Sequence, residues 1–499
     1  MLILFSLLTP VLATIFIILI GERNKSLRNG IIILTCLFDF ILVLRITKGV
    51  LAGIYPSFTL VETPLFVLQF QVDKFGLFMG LLVSFLWIFT ELYSFGYMSG
   101  EHQQTRYFAC LTFALTATLG IVFAANLLTL FIFYELLTYV VYPLVIHEET
   151  EEAFRAGVIY FVYLLTGGLT LLFAIFLTYK LTGGNISFTP TGISELGGQN
   201  RNTLYLLFIL FMLGFGFKST LMPLHSWLPR AMIAPTPISA LLHAVAVVKV
   251  GLFGIIRTIY CVFGADLFRQ LNLNLVLGIW ASITILIAAF TALRQTKIKR
   301  MLAYSTINQL SFVILGAASA NPLGLFAALL HFVYHSFMKI TLFYTAGAII
   351  KQTGKSMIKE MAGLAKFMPL TCFAFAIGAW GIVGLPPVAG WVSKFYLVKT
   401  YFTLGQFGFV FIYLLSSFIE LGFFLPPIVY AYFKSEIANS KFLIPNSKNL
   451  QSEIGNLKLE LRLSMLIPIL TVAFISLIFG IWGGAPHILA KAIVAEFFK

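Results

Sequence analysis

"GFGFKSTLMPLHSWLPRAMIAPTPISALLHAVAVVKVG", residues 214–251, holds two lysines, two histidines, an arginine and four prolines. It overlaps the end of the apolar run Leu204–Phe217, so the ammonium of Lys218 follows an oily stretch. Outward from this segment the chain stays oily. Hydrophobic residues make up 60% of its 499 residues and charged residues only 10%, against about 25% charged in a soluble domain. Mean hydropathy is +0.97. Apolar runs of about 18 residues or more recur, each long enough to cross the hydrocarbon core as a helix. In lipid the backbone must bond to itself, and runs this long exceed barrel strands. The chain reads as an all-α polytopic membrane protein.

Hydropathy predicts about 14 transmembrane helices, near 1–20, 30–50, 74–98, 107–124, 126–146, 156–180, 203–228, 235–258, 274–293, 301–319, 322–350, 366–402, 405–432 and 463–484. The first has neither a basic leader nor a small-residue cleavage site, which predicts a retained helix. Basic residues gather in the odd-numbered loops: Arg23, Lys25 and Arg28; then Arg294, Lys297, Lys299 and Arg300; then Lys351, Lys355 and Lys359; then Lys434 to Arg462. By the positive-inside rule those loops are cytoplasmic and both termini extracytoplasmic. The acidic fifth loop, "HEETEEAFRAG", does not alter this, because acidic residues count little in that rule. The polar loop at 433–462 is expected to be partly helical. The net charge of +14 is a topology signal, with anionic lipid rather than nucleic acid as the polyanion it implies. Cys36, Cys110, Cys261 and Cys372 are scattered and form no CxxC pair, so no iron–sulfur or zinc centre, and no cofactor, is expected.

Charges within the spans are the chemistry-bearing features, because a charge at a helix centre costs about 2.5–3.5 kcal/mol on insertion scales. Glu135 sits in "LLTLFIFYELLTYVVYPLV", where nothing structural requires a carboxyl. Lys218 lies in a span that Pro223 and Pro229 interrupt. Proline frees carbonyls at membrane depth, and broken helices of this kind mark ion sites. The structural alternative is a lysine that caps those carbonyls or reaches to the interface. Lys249 follows in the next span, about 120° round the helix from His243. Farther on, "AALLHFVYHSFMKITLFY" places His331, His335 and Lys339 within an arc of about 80°, one polar stripe on an oily helix. Histidines four apart could ligate zinc, but the next residue of the stripe is a lysine, which favours a proton relay. In "GIVGLPPVAGWVSKFYLVKTYF" the Leu385-Pro386-Pro387 break precedes Lys394. Each half thus holds a proline-broken helix with a lysine near the break, the pattern of two structural repeats.

"FYELLTYVVYPLV", "GFKSTLMPLHSWLPRAMIAPTPISALLHAVAVVKVGLF", "TKIKRMLAYSTINQLSF", "LLHFVYHSFMKITLFY" and "GLPPVAGWVSKFY" resemble the signatures of the proton-conducting antiporter-like family. That family supplies membrane-arm subunits of respiratory NADH:quinone oxidoreductase and the large subunits of Mrp-type Na+/H+ antiporters. The resemblance extends from about Phe95 to Tyr430. It implies two inverted five-helix repeats, each containing a proline-broken helix: N-terminal helices over 1–106, a first repeat over 107–258, a second over 259–432, and a cytoplasmic loop with a last helix over 433–499. It further implies that Glu135 and Lys218 form a charge pair in the first half-channel and that Lys249 is the link residue. By the same resemblance His331, His335 and Lys339 form the central axis, and Lys394 is the terminal site of the second half. Glu91 and Glu420 depart from the family pattern, standing where relatives usually carry neutral residues.

The expected function is therefore a proton-translocating subunit without redox chemistry of its own. An ammonium and a carboxyl held in low dielectric both move towards neutrality, so protons can pass between them near neutral pH. Its partners would be other membrane subunits, with Na+ a candidate counter-ion and the bacterial inner membrane the expected location. "YPLVIHEETEEAFRAGVIYFVYLLTGG" looks most like D-type Mrp subunits, and lysine at 394 disfavours the respiratory type that carries glutamate there. The alternatives are a respiratory membrane-arm subunit, a substrate symporter with a hydroxyl-lined cavity, or a non-conducting scaffold.

Overall fold

A computed structural model describes residues 1–63, 66–434 and 461–498. The first six long helices are α1 (Leu2–Ile20), α2 (Lys25–Leu51), α3 (Lys74–Tyr97), α4 (Gln104–Val122), α5 (Leu127–Val145) and α6 (Glu151–Leu181). The first broken region follows as α7 (Arg201–Ser219), α8 (Trp227–Arg230), α9 (Thr236–Ala244) and α10 (Val247–Arg257). Next come α11 (Ala265–Gln270), α12 (Leu273–Leu293), α13 (Ile298–Ala318) and α14 (Pro322–Thr353), then the second broken pair, α15 (Pro369–Val383) and α16 (Ala389–Thr403). The chain closes with α17 (Phe407–Phe433), α18 (Leu463–Ile481) and α19 (Gly484–Phe497).

Among the described residues, 13 helical stretches are long and apolar enough to cross a membrane, and α15 with α16 makes one further broken crossing. The helix starts are legible in local chemistry. Asn24, Asp73, Asn126, Thr150 and Asn321 each accept a hydrogen bond from a backbone N–H in the first turn, satisfying a donor that the helix itself leaves free. Large apolar side chains such as Phe173 and Phe418 remain exposed on the outer faces, as lipid contact requires.

α14 is the axis. Its 32 residues span about 48 Å at 1.5 Å per residue. It packs against α3, α9, α13, α15, α16, α18 and α19. Everything from Gly324 to Ile349 on it is buried. The chemistry of the second half is therefore built on a helix surrounded by protein on all sides.

Several features were not anticipated. The span expected at 235–258 is interrupted at Val245–Ala246, between α9 and α10. By contrast, the segment 366–402 divides where the Leu385-Pro386-Pro387 break was expected, into α15 and α16. An antiparallel hairpin, β1 (Ser57–Glu62) with β2 (Val67–Gln71), lies between α2 and α3, and α19 follows the last predicted span. Glu496 on α19 accepts from Tyr55 at 2.8 Å and pairs with Lys74 at 3.3 Å. Nearby, the buried Arg257 guanidinium grips Asp73 through both nitrogens, one at 2.7 Å. These ties fasten α19, α10 and the start of α3 together. The helix expected within loop 433–462 falls largely outside the described residues.

Candidate functional site

The first break leaves the carbonyls of Phe217 and Met222 without helical partners, and two indoles take them. Trp227 Nε1 donates to Phe217 O at 2.8 Å, and Trp280 Nε1 donates to Met222 O at 2.6 Å. The capping role that could have accounted for Lys218 is thus already filled. Its ammonium, fully buried, reaches across to α5 instead. It donates to the carbonyl of Tyr134 and lies 3.3 Å from the centre of that ring. Tyr134 is held in turn by its own hydroxyl on Gly214 O at 3.1 Å.

Glu135 is the next residue on α5. Its carboxyl oxygens are buried and meet no hydrogen-bond partner among the described residues. The ion pair implied by family resemblance is therefore not closed here: the ammonium rests on the neighbouring carbonyl. Space for the carboxyl comes from Gly168 on α6, because a Cβ there would sit where the Glu135 carboxyl lies. The Gly167–Gly168 pair in "LLTGG" was the signal available in sequence, and its meaning required the neighbouring helix. Gly168→Ala should displace the carboxyl and lower proton transport about tenfold to a hundredfold, the usual penalty for a misplaced reacting group. Flux measured at equal protein level in membrane vesicles checks this, and wild-type flux would show that the carboxyl's position is immaterial.

Lys249 on α10 is also fully buried. Its Nζ donates to Phe332 O on α14 at 2.7 Å and sits 4.2 Å from that ring's centre. Phe332 follows His331, and one turn on His335 lies among Lys249, Lys339, His331 and His243. Neither ring nitrogen of His335 or His243 has a hydrogen-bond partner among the described residues. Lys339 donates to Ser305 Oγ at 2.7 Å and to Leu302 O at 3.1 Å.

The densest chemistry lies beyond His331. Its Nε2 meets Gln309 Oε1 and its Nδ1 meets Ser393 Oγ, both at 2.9 Å. Gln309 Nε2 donates to Glu420 Oε1 at 2.5 Å. The other Glu420 oxygen accepts from Lys394 Nζ at 2.5 Å. Lys394 also donates to Val383 O at the second break, 3.2 Å, and to Ser417 Oγ, 3.0 Å. Lys394 thus both caps the broken helix and forms an ion pair. An unbroken hydrogen-bonded chain, His331–Gln309–Glu420–Lys394, joins α14 to α13, α17 and α16. Sequence reasoning named Glu420 only as a departure from pattern and missed Gln309 and Ser393 altogether. A buried carboxyl in an apolar span was itself a signal, but its partner could be seen only across helices.

A family described as "NADH:quinone oxidoreductase/Mrp antiporter, TM" matches residues 124–420, more than half of the chain and the region that carries every residue of this row. The chain belongs to that family. The antiporter-like assignment extends upstream, where "NADH-Ubiquinone oxidoreductase (complex I), chain 5 N-terminus" matches residues 65–108. Among curated relatives, NADH-quinone oxidoreductase subunit N of Desulforudis audaxviator (strain MP104C) is 29% identical over 421 residues, covering 83% of this chain and 82% of that protein. Na(+)/H(+) antiporter subunit A1 of Staphylococcus aureus is 30% identical over 443 residues, covering 85% of this chain but only 53% of that protein. This antiporter-like chain thus spans about half the length of that A subunit. In fold it is similar to a chain in the structure of the Mrp complex from Dietzia sp. DQ12-45-1b. That match has a TM-score of 0.87 at 20% identity and covers 100% of this chain and 97% of that one.

Proposed function

We propose that this chain is a proton-translocating membrane subunit of a multisubunit cation/proton antiporter, D-like among Mrp subunits, moving protons through a row of buried lysine, glutamate and histidine. The observation that carries the reading is the hydrogen-bonded chain from His331 through Gln309 and Glu420 to Lys394, with Lys249 against the same stretch of α14 and Lys218 beside Glu135. Glu135 is half-buried with both carboxyl oxygens covered and the other members are buried, and from His331 to Lys394 each junction joins a group that can bind or release a proton, or an amide that can relay one. A scaffold could hold its helices with neutral hydrogen bonds at lower cost. A symporter would line the space with hydroxyls and amides around a cavity rather than with six ionisable groups in a row.

In everted membrane vesicles containing the chain with its native partner subunits, addition of Na+ should dissipate a preformed pH gradient. A gradient unaffected by every monovalent cation would count against the antiporter class. The second reading, a proton-pumping subunit of an NADH:quinone oxidoreductase, is favoured by the 82% coverage of the subunit N relative. It predicts instead a gradient that forms only with electron donor and quinone.

The proposed orientation places the basic loops in the cytoplasm. Single cysteines introduced near Lys355 should resist impermeant thiol reagents applied to intact cells, whereas one near Gly198 should be labelled. The reverse pattern would invert the topology. The same proposal puts the chain in a bacterial inner membrane among other membrane subunits, with two half-channels meeting at Lys249.

A further inference from the structure

The outermost pair of helices carries a feature that the proton row does not use. α1 packs chiefly on α2 and α4, and α2 on α1 and α3, so each keeps a face turned away from the protein. Between them lies an open groove of about 660 Å³, within the range of about 300–1,000 Å³ that small-molecule sites occupy. Thr9 and Phe16 line it from α1, and Ile31, Leu34, Phe38 and Ile41 line it from α2. Its walls are overwhelmingly apolar. The Thr9 hydroxyl is spent on its own helix, donating to Phe5 O at 2.6 Å.

The length of the groove matches one leaflet. From Ile31 to Ile41 it runs about 15 Å along α2, at 1.5 Å per residue. That is half of a hydrocarbon core about 30 Å thick.

Its charge lies at one end. Leu34, Phe38, Ile41, Arg45 and Lys48 fall within an arc of about 80° on α2, so the two cations continue the groove face beyond its last apolar residue. Both are exposed, and neither has a hydrogen bond or ion pair with any described residue. Lys48 lies in the last turn of α2, where a cation complements the helix end. Arg45 stands short of that turn and has no such role. The opposite end of α2 differs. Lys25 projects from the far side of the helix relative to Leu34 and lies 3.9 Å from Glu22. Arg28 is buried and bonded to Asn29 and Gln104. Along α2, the unpaired cations on the groove face therefore stand at the Arg45 end.

We propose that the α1–α2 groove binds an anionic glycerophospholipid, with one acyl chain between Phe16 and Phe38 and the phosphate at Arg45 and Lys48, in the leaflet on the side of the 57–71 hairpin. An arginine at the edge of the hydrocarbon extends its guanidinium to the headgroup level, where it takes a phosphate through paired N–H bonds. A headgroup with its own ammonium would set a third cation beside these two, so net negative charge is favoured over a zwitterion. A spanning helix of a partner subunit fits less well, because it needs contact across about 30 Å and the groove offers half of that.

The test uses the whole chain with its partner subunits, purified in detergent and stripped of lipid. The probe is phosphatidylglycerol carrying a diazirine on one acyl chain. Irradiation should label peptides of α1 and α2. Unlabelled phosphatidylglycerol should compete about 25-fold better than phosphatidylcholine, from about fivefold for each cation near an anionic headgroup. Arg45→Gln with Lys48→Gln should bring that ratio to about one while the groove still labels, because the acyl contacts are untouched. Leu34→Trp, which fills the groove, should lower labelling several-fold with either competitor absent. Labelling confined to other helices, or wild-type competition that does not distinguish the two lipids, would reduce the groove to ordinary lipid contact and overturn the site. A preference that survives the double substitution would overturn the assignment of the phosphate to Arg45 and Lys48. Labelling that appears in the isolated chain and vanishes in the assembled complex would give this face to a neighbouring subunit and overturn the proposal too. Should the double variant fail to assemble, the wild-type competition decides alone.

Discussion

Replacing Lys218 by alanine is expected to lower proton transport by about two to four orders of magnitude, the contribution of a positioned proton-transfer group, while the chain still inserts in the membrane. The structural loss is small. The carbonyl of Tyr134 forfeits one donor but still accepts from the Thr138 hydroxyl at 3.3 Å, and the broken helix keeps both of its indole caps. Lys218→Arg should be as defective as the alanine variant. It retains the charge, but a guanidinium with a pKa above about 12 does not release its proton within a cycle. Glu135→Gln should fail to the same degree, because it keeps shape and burial and removes only titration. Flux in vesicles, set against immunoblotted protein, checks all three. Wild-type transport in either the Lys218→Ala or the Glu135→Gln variant at normal levels would remove the first half-channel from the path.

The second large effect is expected at Lys394. From sequence, glutamate at this position looks tolerable because it still titrates. The structure changes that expectation, for Glu420 lies 2.5 Å from the Lys394 ammonium. A single Lys394→Glu change sets two carboxyls side by side, and removing one partner of a buried ion pair costs about 3–5 kcal/mol. Lys394→Arg keeps the pair and the fold, and should lose about a hundredfold in flux because its charge is permanent. The exchange variant, Lys394→Glu with Glu420→Lys, restores one ammonium and one carboxyl across the same gap. It should transport better than Lys394→Glu alone and better than Lys394→Arg. Equal or higher flux in the arginine variant would reduce Lys394 to a cap on the Val383 carbonyl and confine the path to other residues.

Much of the architecture was open to a physical reading of the chain. Long apolar runs located most spans, and the two proline clusters located both broken helices. The interruption at Val245–Ala246 was not legible, since "HAVAVVKVG" contains no proline and reads as continuous apolar helix. The hairpin at 57–71 and the terminal α19 escaped because their evidence is tertiary: each depends on partners such as Tyr55 with Glu496. The same distinction governs the candidate site. Lys218, Lys249, His331, His335, Lys339, Lys394 and Glu135 stand out because an ionisable group in an oily helix is anomalous by itself. Gln309 and Ser393 do not stand out, being ordinary polar residues until His331 is seen between them. Gly168 is silent until a carboxyl is found in the space beside it. Asp39 was passed over although it lies near the middle of the span expected near 30–50, and its burial is as complete as that of Glu91.

If the two halves conduct as one row, Lys249 is where they join. It touches neither the Lys218–Tyr134 contact nor the Lys394–Glu420 pair, and it is held by a backbone carbonyl of α14. Lys249→Met preserves the volume of the stem and removes only the ammonium. The most direct measurement is the initial rate of proton movement in vesicles carrying this variant with its native partners, compared with wild type at equal protein content. A continuous row predicts a fall of about a hundredfold or more, with both end sites chemically intact. A rate within about half of wild type, which independent half-channels would leave, would contradict it.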